Sequence, residues 1–131
     1  MKKYVLLIIT ISIFFFCACT VNTVSRSKIA DIDFTVVKED DIPKQLKDTI
    51  ESKKNDGFML TYQDGDYLYI AKGYGLMEGG TYCITVDELY LTKNTICALF
   101  TIRGTKEDNA ENKANYIVVK CENYKKPVIF Q

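Results

Sequence analysis

The chain of 131 residues contains no histidine, no tryptophan and only two prolines. Without an imidazole there is no Ser-His-Asp or Cys-His catalytic set, no His-ligated zinc, and no side chain that ordinarily titrates near neutral pH. Without tryptophan, the edges of a β core fall to tyrosine, of which there are nine. No CxxC spacing occurs, which takes support from a zinc or dithiol redox site. No run of lysine and arginine is longer than the pairs Lys53-Lys54 and Lys125-Lys126, so binding of nucleic acid or anionic lipid by the folded part is not expected. The one long apolar run, Tyr4 to Phe16 and its flanks, is shorter than the roughly 20 residues that cross a bilayer.

That run is nevertheless the most informative segment present. Met1-Lys2-Lys3 is a short basic start, and Phe16-Cys17-Ala18-Cys19 closes the apolar stretch. This is the layout of a secretory signal, and it resembles a bacterial lipoprotein signal in which a small residue precedes a lipid-accepting cysteine. The expectation is export, with the signal over residues 1–19, lipid on Cys19, and a bacterial membrane-anchored location outside the cytoplasm. Residues 20–30 are small, polar and aperiodic, as suits a tether. One domain of about 100 residues, 31–131, follows, enough for a single modest core. Lys2 and Lys3 are two of 17 basic residues set against 17 acidic ones, so the mature chain is slightly acidic.

Within the domain, Ile32 to Lys38 reads as a strand. Glu39-Asp40-Asp41 then places negative charge at a helix start, with Pro43 in the first turn. Ile42, Leu46 and Ile50 form one apolar stripe on a helix running to about Lys54, and Asn55-Asp56-Gly57 stops it. Everything after Gly57 reads as sheet. Asp64-Gly65 is a two-residue hairpin signal that would set Tyr62 opposite Tyr67 and Leu60 opposite Tyr69. A Thr92-Lys93-Asn94 turn joins strands at Tyr82–Leu91 and Thr95–Arg103. Tyr116–Glu122 and Pro127–Gln131 follow, the latter as an edge strand. The fold class expected is α+β and β-rich: one N-terminal helix packed on a mostly antiparallel, strongly bent sheet, as a sandwich or partial barrel.

Cys83, Cys97 and Cys121 each fall in a β-like run and read as small buried residues, with at most one internal disulfide among them. Asp64-Gly65-Asp66 lacks the further acidic positions of a calcium loop. Asp87 and Glu88, adjacent in a strand, should face opposite ways, which defeats a paired acid/base role. No metal, cofactor or catalytic residue is expected.

The segment that stands out is Gly73-Tyr74-Gly75-Leu76-Met77-Glu78-Gly79-Gly80-Thr81-Tyr82. Its glycines permit close backbone approach, and Leu76 and Met77 would be awkward to leave in water. It reads either as a long structural connection or as a partner-binding loop comprising Gly75, Leu76, Met77, Glu78, Gly79, Gly80, Thr81 and Tyr82. It is not a phosphate-binding loop, because the spacing is wrong and it leads into a strand.

Several of these segments together resemble the PrcB family, small exported proteins named for a subunit of a bacterial surface protease complex. They are Leu60-Thr61-Tyr62-x-Asp64-Gly65-x-Tyr67-Leu68-Tyr69-Ile70, the Gly73-Tyr74-Gly75 stretch leading to Tyr82-x-Ile84-x-Val86-x-Glu88-Leu89-Tyr90, and Tyr116-Ile117-Val118-Val119-Lys120. The resemblance covers about residues 32 to 131. It implies a non-catalytic accessory subunit whose partner is an exported or surface protein, such as a protease. A protease inhibitor acting through the Gly-rich loop, and a purely structural envelope lipoprotein, are the alternatives.

Overall fold

The Asp64-Gly65 signal makes a hairpin one residue further on than the sequence places it. Strands β3 (Phe58–Asp64) and β4 (Tyr67–Met77) pair with Asp64 opposite Tyr67, so Gly65 and Asp66 form the turn. Gly65 has φ +58° and stands first of the two, the position that a type II′ turn reserves for glycine. The shift sets Tyr62 opposite Tyr69 and Leu60 opposite Ala71. The face carrying these residues is the same in both registers, because moving both partners by a whole repeat keeps the alternation.

This computed structural model describes residues 27–131; the expected signal, Cys19 and most of the expected tether lie outside the described residues. Before β3 come β1 (Ala30–Asp31), β2 (Phe34–Val36), a 3-10 turn over Glu39–Asp41 and helix α1 (Lys44–Lys53). After β4 come β5 (Gly80–Leu91), β6 (Ile96–Lys106), β7 (Lys113–Glu122) and β8 (Val128–Phe130). The strands form two four-stranded sheets. Sheet 1 has the order β1-β5-β6-β8 and sheet 2 the order β2-β7-β4-β3. Every pairing is antiparallel except β6 with β8.

Two expectations are corrected here. The strands form two separate sheets, not one bent sheet, and the helix is not N-terminal but follows β1 and β2. The apparent single strand at Ile32–Lys38 is the reason. Ile32 donates its N–H to Leu89 O (2.9 Å) in sheet 1, whereas Phe34–Val36 pairs with Val119–Cys121 in sheet 2. The chain changes sheets at Asp33, and local alternation cannot register that. The acidic residues are displaced too. Glu39, Asp40 and Asp41 occupy their own 3-10 turn, and Pro43 caps α1 without a side-chain hydrogen bond.

The molecule has three layers. Between the sheets, Ile32, Leu89, Ile96, Ala98 and Phe100 of sheet 1 and its approach meet Leu68, Ile70, Ile117, Val119 and Cys121 of sheet 2. On the other side of sheet 2, Leu46 and Ile50 of α1 pack on Phe58, Tyr69, Ala71 and Val118, joined by Ile42, which the expected stripe put on the helix but which lies in extended backbone before it. Burial of one such aliphatic side chain stabilises by about 1.5–3 kcal/mol. Among the described residues sheet 1 thus has no helix over its outer face. A four-residue loop closes β5–β6 where three residues were expected. Its Thr92 and Thr95 are buried, share a hydroxyl–hydroxyl contact of 2.6 Å, and Lys126 Nζ donates to Thr92 O at 2.9 Å.

Strand directions give the molecule two ends. Ile29 N–H donates to Leu91 O (2.7 Å), so the chain enters beside the Thr92–Thr95 loop. The β4–β5 connection lies at the other end of the 12-residue β5, about 35 Å away at ordinary strand rise.

Candidate functional site

Most of the glycine-rich segment is strand. Gly75, Leu76 and Met77 end β4; Gly80, Thr81 and Tyr82 begin β5; only Glu78 and Gly79 lie between. The connection passes from sheet 2 to sheet 1, and each glycine answers a specific neighbour. A Cβ at Gly73 would stand 2.4 Å from the Phe58 ring, at Gly79 2.0 Å from Ala110 O, and at Gly80 2.2 Å from Thr105 O. Gly75 has φ +78° and lies against Asn55 O. The Glu107–Asn112 loop clasps the turn: Glu107 N–H donates to Gly79 O (2.9 Å) and Gly79 N–H to Asn112 Oδ1 (3.1 Å). Thr81 Oγ1 donates to Glu107 Oε1 (2.8 Å), and Lys106 pairs with Glu78 at 2.5 Å. Close packing, against backbone at Gly75, Gly79 and Gly80 and against the Phe58 ring at Gly73, therefore accounts for the glycines.

What the segment does present is Leu76, 55% exposed at the end of β4. Its N–H donates to Asn55 O (2.9 Å), and its side chain borders a hollow of about 330 Å³ with Lys54, Lys113 and Tyr116. A second hollow of about 270 Å³ continues from there along β7, between Val36 and Val37 on one side and Glu39 and Ile42 above. Glu39, Lys113, Ala114 and Tyr116 border both, so the two form one groove.

The groove exists because β2 is too short. It pairs with β7 only at Val119–Cys121, and the last contact is Val37 N–H to Val118 O at 2.8 Å. In an antiparallel ladder alternate residues turn their N–H and C=O to opposite edges. Val118 faces β2, so Tyr116 and Ala114 face the same way, beyond the point where β2 stops. Among the described residues nothing pairs with β7 there. An open edge of this kind is a template for another strand.

Charge in the groove is mixed. Lys54 pairs with Glu51 at 2.8 Å, whereas Glu39 has no ion-pair partner among the described residues. Burial, and then the carboxylates of Glu39 and Glu51, push the Tyr116 hydroxyl above its ordinary pKa, with Lys54 opposing. The ring of Tyr116 packs on Phe58, centroids 6.0 Å apart.

No protein-family model, curated protein or solved structure matches this chain.

Other candidates are dispersed. Among the described residues no three His, Cys, Asp or Glu side chains gather as a metal site. The three described cysteines form no disulfide with one another; Cys97 and Cys121 are buried as expected, but Cys83 is exposed on the outer face of sheet 1, opposite Arg103. Asp87 and Glu88 do not alternate across the sheet. A bulge lies between Val86 and Glu88, and Asp87 accepts from Thr85 Oγ1 (2.9 Å) and from the Thr101 hydroxyl. Those hydroxyls, that of Thr101 first, lower the Asp87 pKa.

Sequence reasoning singled out Leu76 but missed Val36, Glu39 and Tyr116. The sequence carried no signal for them, since the first strand reads as Ile32 to Lys38 and its shortening to Phe34–Val36 appears only once the sheets are formed.

Proposed function

We propose that the protein is an exported lipoprotein, anchored in the bacterial membrane through Cys19, that binds an extracytoplasmic protein as a non-catalytic accessory subunit. The partner is a surface protein such as a protease, in keeping with the resemblance to the PrcB family. The observation that carries this reading is the groove along the open edge of β7, bordered by exposed Leu76. It lies towards the end of the molecule opposite the point where the tether enters. A protein held through its N-terminus at one end and carrying an unfilled strand edge towards the other is well arranged for reaching a partner.

An inhibitor that offers a substrate-like loop receives less support, since only Glu78 and Gly79 lie outside strands. Catalysis receives less still. A cysteine nucleophile would act without histidine, and burial pushes the Cys121 thiol up to about 11, the wrong direction for a thiolate.

In-cell crosslinking of the tagged full-length protein tests the reading, compared with a Leu76→Glu variant. The exposed leucine is suitable because its replacement removes no core contact, whereas alanine at Gly79 or Gly80 would disturb the fold. A captured exported protein that the variant loses supports an accessory binder working through this end. Identical captures from both would place the interface elsewhere, and no capture from either would favour a structural envelope role.

A further inference from the structure

We infer that a second copy of this chain pairs antiparallel along the free edge of β3, joining two copies of sheet 2 into one continuous sheet about a two-fold axis at Thr61. The inference is independent of the groove along β7 and concerns the opposite side of the same sheet.

Apart from the short strands β1, β2 and β8, unpaired edges remain, among the described residues, on β3, on β5 before Leu89, on β6 beyond Ala98 and on β7 before Val118. Charge, proline and bulges keep such edges from pairing. β5 has a bulge beside Asp87 and Glu88, β6 carries Arg103 and Lys106, and β7 carries Lys113. β3 has none of these devices. Residues 58–63 include no charge and no proline, the register with β4 is unbroken, and Met59 is 57% exposed.

The edge fits its own copy. Asp64 and Tyr67 flank a two-residue turn and so exchange their hydrogen bonds, which turns the N–H and C=O of Met59, Thr61 and Gln63 outwards. Centring an antiparallel pair on Thr61 brings all three into hydrogen-bonded positions, Thr61 with Thr61 and Met59 with Gln63 of the second copy. On the other face Leu60 meets Tyr62 of the second copy, extending the apolar layer under α1 to which both already belong. Gly57, at φ +81°, turns the chain away and ends the pairing at Phe58.

The charges favour a second copy over another partner. Beside a two-fold axis a side chain meets its own duplicate, so an ionised group there would face the same charge. This axis stands perpendicular to the joined sheet and sets both α1 helices on one face. The flank of α1 towards β3 carries Gln45, which accepts from the Tyr62 hydroxyl (3.1 Å), and Thr49 one turn on, whose hydroxyl donates to Gln45 O (3.0 Å). The charged flank, with Glu51 and Lys54, faces the groove instead. Away from the axis, opposite charges come together. Lys53 ends α1 and is joined to Phe58 by residues 54–57, and the pairing sets Asp64 of the second copy opposite Phe58. Neither Lys53 nor Asp64 has an ion-pair partner among the described residues. One strand pair and a helix flank make a small interface, so association should set in between about 10 μM and 1 mM.

The register supplies the test. Full chains carrying Cys83→Ser and Thr61→Cys are oxidised in detergent micelles, with at most one chain per micelle on average, and disulfide-linked peptides are identified by mass spectrometry. The Cα atoms of a hydrogen-bonded antiparallel pair lie about 5.5 Å apart, within disulfide reach. Thr61→Cys should therefore link to itself, and Met59→Cys should link to Gln63→Cys when the two chains are mixed. Gln63→Cys alone should link to itself about tenfold less, because its copies stand about 13 Å apart along the strands. Sedimentation provides a measurement that leaves the cysteines untouched. Thr61→Lys and Thr61→Glu, both at an exposed position, should each weaken association about fivefold by like-charge contact, and an equimolar mixture of the two should restore it. Self-linking of Gln63→Cys equal to that of Thr61→Cys overturns the inference. So does a mixture that associates no better than either variant alone, or no association of the unaltered chain up to about 1 mM. A photocrosslinker in place of Thr61 that captures a different protein in cells, and never a second copy, overturns it in favour of that protein.

Discussion

At the scale of single residues, the glycines of the β4–β5 connection mark packing. The carbonyl oxygen of Ala110 leaves no space for a Cβ at Gly79 (2.0 Å), whereas nothing lies within 4 Å of one at Gly65. Gly79→Ala should therefore cost about 1–3 kcal/mol through displacement of the Glu107–Asn112 loop. Gly65→Ala should cost about 1–2 kcal/mol, from its positive φ alone, and should leave that loop in place. Denaturant unfolding with an amide spectrum of each variant checks this, and an undisturbed loop in Gly79→Ala would refute the steric account. The cysteines make a second prediction. Cys121 is buried, and its pKa rises from 9.0 to about 11 on folding. A thiol whose pKa is raised in the folded state contributes its full stability below pH 9.0 and loses it as pH climbs towards about 11, because the unfolded chain ionises first. Cys121→Ala should be less stable at neutral pH yet lose less of its stability across that window, as thermal melts at several pH values would show. A thiol reagent at pH 8 should modify Cys83 readily and reach Cys97 and Cys121 only on unfolding.

At the scale of elements, the helix stripe and the hairpin were legible because both are local. Leu46 and Ile50 recur at helical spacing on α1, and the structure buries both against the outer face of sheet 2 together with Ile42, which precedes the helix. Ile50 is fully buried, so Ile50→Ala should lower stability by about 2–5 kcal/mol. Gln45→Ala removes only an exposed hydrogen bond from Tyr62 at 3.1 Å and should cost under about 1 kcal/mol. Urea unfolding of the two variants compares them; similar losses would mean that α1 is not held by its apolar stripe. The hairpin signal was placed one residue early, because Asp64-Gly65 and Gly65-Asp66 are both acceptable turn pairs and pairing along β4 decides between them. Asp87 and Glu88 were misplaced because a bulge is a property of two strands, unseen in either one.

At the scale of the whole molecule, the site depends on an imbalance between strand lengths. β7 has 10 residues and β2 has 3, and the groove is the difference. No property of Lys113–Ile117 by itself announces a free edge, since the same residues would read identically as a central strand. The proposed anchor belongs at this scale as well. Cys19→Ser should move the protein from the detergent phase to the aqueous phase on detergent partitioning, with the fold unchanged by circular dichroism. A variant that still enters the detergent phase would remove the lipid from the account.

The sequence by itself determined the periodicities: a single amphipathic helix, a succession of strands, turn positions to within a residue, and a chain without imidazole chemistry. These follow from local sterics and side-chain type, which act over a few residues. Only the tertiary structure decided that the strands divide into two sheets, that α1 packs on the outer face of sheet 2, and that β2 ends before β7 does. Each of those depends on which distant segments meet, and hydrogen-bond pairing between strands carries no mark in the sequence of either one alone.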